Sequence, residues 1–347
     1  MSPRRGSRVR LRDVADHAGV SVRTVSNVVN DFMYVSPEMR QRVQASLDEL
    51  GYKMDYVARG LRSGRTGMIA LVVPQLAEPY FAELSQAVIR AAARRGLAVL
   101  IETTNNDPSL EQRIMKGALA TVADGVLLSA GAATTEEEPE VPLVLLGEHA
   151  ATRHGDHIGI DNVLAARTVV RHLLEQGYRR IAPLGVSETA TAVPRLRGFH
   201  DELQAWRIRP VQRLALATAD WSPRGGYEVV NKLLAANKPG LPRAIFAFND
   251  SLALGALRAL RQHGIDVPGQ IAVAGIDDLE QSAFVDPPLT SLAPDLDDIA
   301  ETALSALALQ IEGKTDRTSY RRKVTAFHLH VRESTVTADT VSCHPAS

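Results

Sequence analysis

The 347-residue sequence holds a single cysteine, Cys343, so it can build neither a disulfide framework nor a cysteine-ligated zinc site. No run approaches the roughly 18 consecutive apolar residues of a membrane-spanning helix. The basic opening MSPRRGSRVRLR leads into charged sequence rather than the apolar core of a signal peptide. A cytoplasmic, nucleoid-associated protein with no membrane partner is expected. Also missing are a G-x-x-x-x-G-K-[ST] loop, a G-x-S-x-G elbow, a G-x-G-x-x-G fingerprint and an H-E-x-x-H pair. Nothing supplies a nucleophile or a cofactor cradle, and neither an enzyme nor a cofactor is expected. His149, His154 and His157 share a polar stretch without a carboxylate at helical spacing, so no metal site is expected either. Composition is that of a globular protein of two or three domains, with 45% hydrophobic and 23% charged residues.

The formal net charge of −1 conceals a segregation. Up to Thr66 there are 12 Lys+Arg against 7 Asp+Glu, and the remainder carries 27 against 33. A basic front on an acidic body suits nucleic-acid binding, and a merely solubilising tail would show the same imbalance.

From Leu11 the text LRDVADHAGVSVRTVSNVVND places Leu11, Val14, Ala15 and Ala18 at helical spacing before Gly19. Ser21 is a plausible N-cap for a second stripe of Val22, Val25, Val28 and Val29. Ser36-Pro37 signals a third helix carrying Val43, Leu47 and Leu50. The pattern is a helix-turn-helix. Val22, Arg23 and Asn27, facing outward near the start of the second helix, are chemically able to read bases. Valine meets a thymine methyl, arginine forks onto guanine and asparagine pairs with adenine. Ser21, Thr24 and Ser26 are candidates for phosphate contacts or internal caps. The same helical pattern would also serve a three-helix bundle that binds protein.

DVADHAGVSVRTVSNVVN, then VSPEMRQRVQASLDELGY, then VARGLRSGRTGMIALVVP closely resembles the start of the LacI/GalR family of bacterial transcriptional regulators. The resemblance implies base contacts from Val22, Arg23 and Asn27, and a hinge helix over 55–62 that folds when two subunits sit on an operator. Ala58, Leu61 and Arg62 would face the DNA there, with Leu61 a wedge in the minor groove; an apolar wedge costs a few kcal/mol of unstacking and opens the duplex to further contact. Three departures stand out: Arg10 where a Ser or Thr cap is usual, Met54-Asp55 for the frequent Pro-Asn, and Gly60 for the usual serine. Glycine costs a helix about 0.8–1 kcal/mol against alanine, so a hinge disordered without DNA is expected.

After Gly67 short apolar runs (MIALVVP, LAVLIETT, DGVLLSA) alternate with amphipathic helical stretches such as PYFAELSQAVIRAAARRG. The series restarts near HIGIDN, continuing through RIAPLGV, RLRGFHDELQAW, RAIFAFND, SLALGALRALRQHG and IAVAGIDD. Two α/β lobes with parallel sheets are implied, and ligands in such sheets bind beyond the carboxyl ends of the strands. Three strand ends carry paired polar residues: Asp161-Asn162, Asn249-Asp250 and Asp277-Asp278. A lone Asp at a strand end often caps the following helix instead.

The resemblance extends from about Met68 to Thr335 and implies a periplasmic-binding-protein-like effector domain. It carries over Tyr80 and Phe81 from PYFAE, Arg195 from PRLRGF, Trp221 from DWSP, and Asn249, Asp250 and Asp277 from AFND and GIDD. Asp161 and Thr191 complete the expected effector set, with Thr189 a further candidate. An aromatic face with Arg, Asn and Asp is the chemistry of sugar recognition. VSETATAVP lacks the arginine that purine-binding members carry, so a sugar or small polyol is expected ahead of a nucleoside or other polar metabolite. FHLHVREST resembles the family's final strand, with His328 and His330 on one face in a structural or solvated role. The leucine-heptad tail that makes some members tetramers is absent, so a homodimer is expected. The predicted organisation is a helix-turn-helix headpiece over 1–54, a hinge over 55–66, a two-lobed effector domain over 67–335 and a polar tail over 336–347. The function implied is a repressor that binds a pseudo-palindromic double-stranded DNA operator under small-molecule control. A cytoplasmic solute-binding protein or an enzyme is the remote alternative.

Overall fold

A computed structural model describes residues 9–29, 35–52, 65–129, 139–147, 155–236, 240–315 and 321–336. The chain divides into two units, Met1–Gly64 and Arg65–Ser347. The predicted hinge, with Ala58, Leu61, Arg62 and Gly60, lies outside the described residues, as do His149 and His154.

In the first unit three helices, α1 (Leu11–Ala18), α2 (Val22–Val29) and α3 (Pro37–Glu49), bury Val14, Ala15, Ala18, Val25, Val28, Val43 and Leu47 against one another. Where a serine or threonine cap would open α1, Arg10 acts through its backbone: its N–H donates to the Asp13 carboxylate at 2.7 Å and its carbonyl accepts from Asp13 N at 3.0 Å. Gly19 ends α1 at φ 63°, a left-handed geometry that costs glycine little. The expected cap at α3 is present, with Met39 N donating to Ser36 Oγ at 3.3 Å. One member of the expected apolar stripe is not in the core: Val22, the first residue of α2, is 37% exposed.

The second unit carries two six-stranded sheets. The strands are β1 (Met68–Val73), β2 (Ala98–Thr103), β3 (Val126–Leu128), β4 (Leu143–Leu146), β5 (Asp156–Gly159), β6 (Ile181–Val186), β7 (Leu216–Ala217), β8 (Ala244–Ala247), β9 (Ala272–Ile276), β10 (Thr290–Pro294), β11 (Arg321–Val324) and β12 (Phe327–His330). The first sheet runs β11-β5-β4-β3-β1-β2, all parallel. The second runs β12-β10-β9-β8-β6-β7, parallel but for the antiparallel β10–β12 pair.

The helices are α4 (Pro79–Arg94), α5 (Pro108–Met115), α6 (Asn162–Glu175), α7 (Ala192–Ala205), α8 (Pro223–Ala235), α9 (Asp250–Gln262) and α10 (Leu296–Ile311). Helices cover both faces of the first sheet, which is why β1 is apolar throughout instead of alternating. Ile69, Leu71 and Val73 pack with Leu84 and Val88 of α4 and Leu304 of α10, while Ala70 and Val72 pack with Ile114 and Met115 of α5. The second sheet supports a larger core that includes Phe199, Phe246 and Phe248.

The chain passes between the lobes three times, after β5, after β10 and between β11 and β12. Its late segments therefore return: α10 and β11 complete the first lobe, and β12 completes the second. Among the described residues no helix is long and apolar enough to cross a membrane.

Candidate DNA-reading face and ligand cavity

The turn between α1 and α2 fixes where α2 begins. Ser21 caps it, accepting from Thr24 N at 3.0 Å, and its Oγ lies 2.8 Å from Thr24 Oγ1. Val25 and Val28 are buried, which leaves Val22 and Arg23 exposed and Asn27 half-buried, with Arg23 and Asn27 one turn apart. The three expected base readers therefore stand clear of the headpiece core.

The second unit contains a cavity of about 520 Å³ at the carboxyl ends of both sheets. Of the expected residues Tyr80, Phe81, Thr191, Arg195, Trp221, Asn249 and Asp277 line it, as does Thr189. The first lobe supplies a largely apolar wall that includes Phe81, Leu146, Ile158 and Ile299. Tyr80 and Phe81 meet edge to face, 5.3 Å between centroids. Burial, reinforced by nearby Asp277, pushes the Tyr80 phenol above its ordinary range and keeps it neutral.

The second lobe supplies most of the polar wall. Arg195, only 6% exposed, projects from α7 and donates from Nε to Asn162 Oδ1 at 2.8 Å and from Nη1 to the Phe248 carbonyl. Its guanidinium carbon lies 5.9 Å from the centre of the Trp221 ring. Trp221 packs edge-on to Phe248, and its indole N–H is buried with no acceptor among the described residues. Asn249 does two jobs: Oδ1 caps α9 by accepting from Leu252 N at 2.9 Å, while Nδ2 donates to the Trp221 carbonyl at 3.2 Å. Asp277 follows β9 at φ 123° and is itself followed by Asp278 at φ 52°; two consecutive non-glycine residues in this region mark stored backbone strain. Burial holds the Asp277 carboxyl well above the usual carboxylate range against the pull of Arg195, with Asp250, Glu78 and Glu83 adding to the rise.

Two expected residues do not line the cavity. Asp161 caps α6, accepting from Leu164 N at 3.0 Å, and its neighbour Asn162 takes the place at the wall. Asp250 is fully buried behind the wall, where its carboxylate accepts from Ser282 Oγ and Ser291 Oγ at 2.6 Å each and from Leu279 N at 3.1 Å. Burial raises its pKa to about 7 in spite of those three donors. It braces the strand ends that carry Asp277 and Asp278, and a Cβ on Gly275 would lie 2.1 Å from it. In each of these two pairs only one residue faces the cavity, and Asn249 serves the fold as well.

Sequence reasoning missed Glu78 and Asp220, which line the cavity with Asn162. For Glu78 the signal was its place before Pro79, where a helix begins. His328 and His330 do share a face of β12, 4.9 Å between ring centres, and His330 lies 3.5 Å from Asp278. Among the described residues no cluster of three or more His, Cys, Asp or Glu could hold a metal ion.

A helix-turn-helix unit and a two-lobed unit with a ligand-sized cavity, carried on one chain, define a DNA-binding regulator under small-molecule control. Residues 10–55 match the family model for bacterial regulatory proteins of the lacI family, and residues 170–335 match a periplasmic binding protein-like domain. The chain is 30% identical over 324 residues to the transcriptional repressor PurR of Actinobacillus pleuropneumoniae, covering 92% of this chain and 95% of that one. It is likewise 30% identical to the ribose operon repressor of Escherichia coli over 312 residues, 88% of this chain and 94% of the relative. The lac repressor dimer bound to operator and the anti-inducer ONPF superposes with a TM-score of 0.76 at 27% identity, covering 95% of this chain and all of that one. The CelR–cellobiose complex gives 0.67 at 30% identity, over 94% of this chain and all of that one.

The chain belongs to the LacI/GalR family of bacterial transcriptional regulators. It is a DNA-binding transcriptional regulator of a family whose members are non-catalytic.

Proposed function

We propose that the protein is a repressor whose operator affinity is set by a sugar or small polyol in the interlobe cavity. The observation that carries this reading is the convergence of Arg195, Trp221, Asn249 and Asp277 on one cavity at the strand ends. An aromatic face, an unsatisfied indole donor and planar polar groups suit the stacked, hydroxyl-rich face of a sugar. Relatives named for ribose and solved with cellobiose are in keeping with it. A planar nucleobase is the second reading, favoured by Tyr80 and Phe81 beside Trp221 and by the PurR relative.

On the DNA side Val22, Arg23 and Asn27 read bases in the major groove, with Ser21 and Thr24 near the phosphates. Ala58, Leu61 and Arg62 act from the hinge in the minor groove. A ligand switches such a protein only by binding its two lobe arrangements with different affinities, typically a coupling of about 1–3 kcal/mol.

Selection of random duplex DNA by the full-length dimer at a stated moderate salt concentration, followed by sequencing, tests the first half. A palindrome with a C-G step at its centre is expected, and a sugar panel is then scored for release of that duplex. No enriched motif from folded dimer overturns the reading of the headpiece acting alone, and release by a nucleobase with no response to sugars overturns the sugar.

A further inference from the structure

We infer that the cavity selects ligands without an anionic group, rejecting phosphorylated or carboxylated compounds, and that Glu78 is the first-lobe residue setting this discrimination. The inference rests on the reading of this cavity as the effector site and narrows its ligand class.

Glu78 occupies the N-cap position of α4, yet its side chain makes no capping bond to that helix. Its Oε1 instead accepts from Asn249 Nδ2 of the other lobe at 3.4 Å, and Ser251 is a further hydrogen-bond partner. A carboxylate that leaves its own helix start open and reaches the opposite wall is placed for the cavity. Asp220, on the loop after β7, and Asp277, after β9, are the other carboxylates of the lining. Against these three the described lining offers one cation, Arg195, whose Nε and Nη1 are already engaged with Asn162 and Phe248.

Helix N-termini are the usual alternative for holding a phosphate. Apart from α4, whose N-cap residue is Glu78 itself, those bordering this cavity already hold protein acceptors. Asn249 Oδ1 caps α9, Ser222 Oγ accepts from Gly225 N at the start of α8, and Thr189 Oγ1 accepts from Ala192 N at the start of α7. Asp220 Oδ1 accepts from Ser222 N at 3.0 Å, adding a negative charge beside α8. Burial and the charge of Asp220 both push the Glu78 carboxyl up, so the two acidic groups sense each other across the cavity. A phosphate would enter beside three carboxyl groups with the one lining cation already engaged, whereas hydroxyls can donate to every one of these groups.

The chain has two tryptophans, and Trp206 lies outside the cavity lining. A Trp206→Phe background therefore makes Trp221 the sole indole reporter of the cavity. Its fluorescence is quenched with caesium and with iodide at constant ionic strength, each referenced to a free indole amide. The expected result is a several-fold relative preference for caesium, falling toward the free-indole ratio in a Glu78→Gln/Asp220→Asn double variant, whose side chains keep their acceptor oxygens. Iodide quenching Trp221 as well as caesium does, or a caesium preference untouched by the double variant, overturns the inference.

D-glucose and D-ribose are then compared with their terminal phosphate esters for operator release. An ester that acts as well as its parent sugar overturns the inference while leaving the effector reading intact. An ester at least about tenfold weaker than an active parent supports it. A caesium preference that holds while no neutral sugar moves operator affinity leaves the inference standing and removes the sugar reading.

Discussion

Arg23 and Arg195 are the same residue type in two settings, and the difference separates the two ends of this molecule. Arg23 is exposed on α2, beside a valine that is itself open to solvent. Arg195 is buried at the cavity wall, gripping an amide oxygen and a backbone carbonyl and facing an inner aspartate. In the headpiece Val22 and Arg23, both suited to recognition, lie outside the core that holds the three helices together. In the body such groups are also structural members, because a buried polar group must find partners whether or not a ligand is present.

The largest expected effect follows from breaking that dual role. Arg195→Ala leaves Asn162 Oδ1 and the Phe248 carbonyl without their donor and Asp277 without its counter-charge, and should cost about 3–5 kcal/mol of fold stability along with most ligand affinity. Chemical denaturation and ligand titration read the two together; loss of ligand affinity at unchanged stability would separate the roles. Arg23→Ala should cost about 1–3 kcal/mol in operator affinity and relax preference at one base pair, with the denaturation midpoint unmoved. Uniform weakening on every sequence would make Arg23 a phosphate contact instead.

Asp250 sharpens the comparison through pH. Its carboxyl titrates near 7 in the fold against 3.8 free, so its contribution to stability is present below about pH 4 and lost as pH rises through 7. Buried His172 acts in the opposite sense. Burial lowers its pKa from 6.5 to about 4, so its contribution is present above pH 6.5 and lost as pH falls toward 4. Asp250→Asn should therefore leave stability rising more steeply with pH between 4 and 7, measured as denaturation midpoints across a buffer series. A profile superimposable on the parent's would mean that Asp250 does not titrate in that window. The smallest expected effect is Val22→Ala, under about 1 kcal/mol of operator affinity with no change in stability, read by operator titration and thermal melting.

Local signals carried much of this fold in the sequence, and non-local ones did not. Ser21 and Ser36 announced their helices because an N-cap acts within three residues. The apolar runs of β1 and β8 were plain because both faces of their sheets are covered. β11, reading RRKV, is an edge strand with exposed side chains, and its pairing with β5 lies 165 residues back along the chain. No window of sequence contains that information. The cavity shows the same limit. Asp161-Asn162 and Asn249-Asp250 were recognisable as strand-end pairs, but the member at the cavity differs: the cap Asp161 is off the wall and the cap Asn249 lines it, with Ser282 and Ser291 arriving from elsewhere to hold Asp250.

The late return of the chain to both lobes sets the order in which the molecule can be made. The described headpiece, complete by Tyr52, is contiguous and can form while the rest is still being translated. Neither sheet of the body has its full set of strands until synthesis has passed residues 324 and 330. The nascent protein therefore holds a finished reading head well before it has a finished sensor, and the codons for β11 and β12 decide when a newly made copy becomes answerable to its ligand.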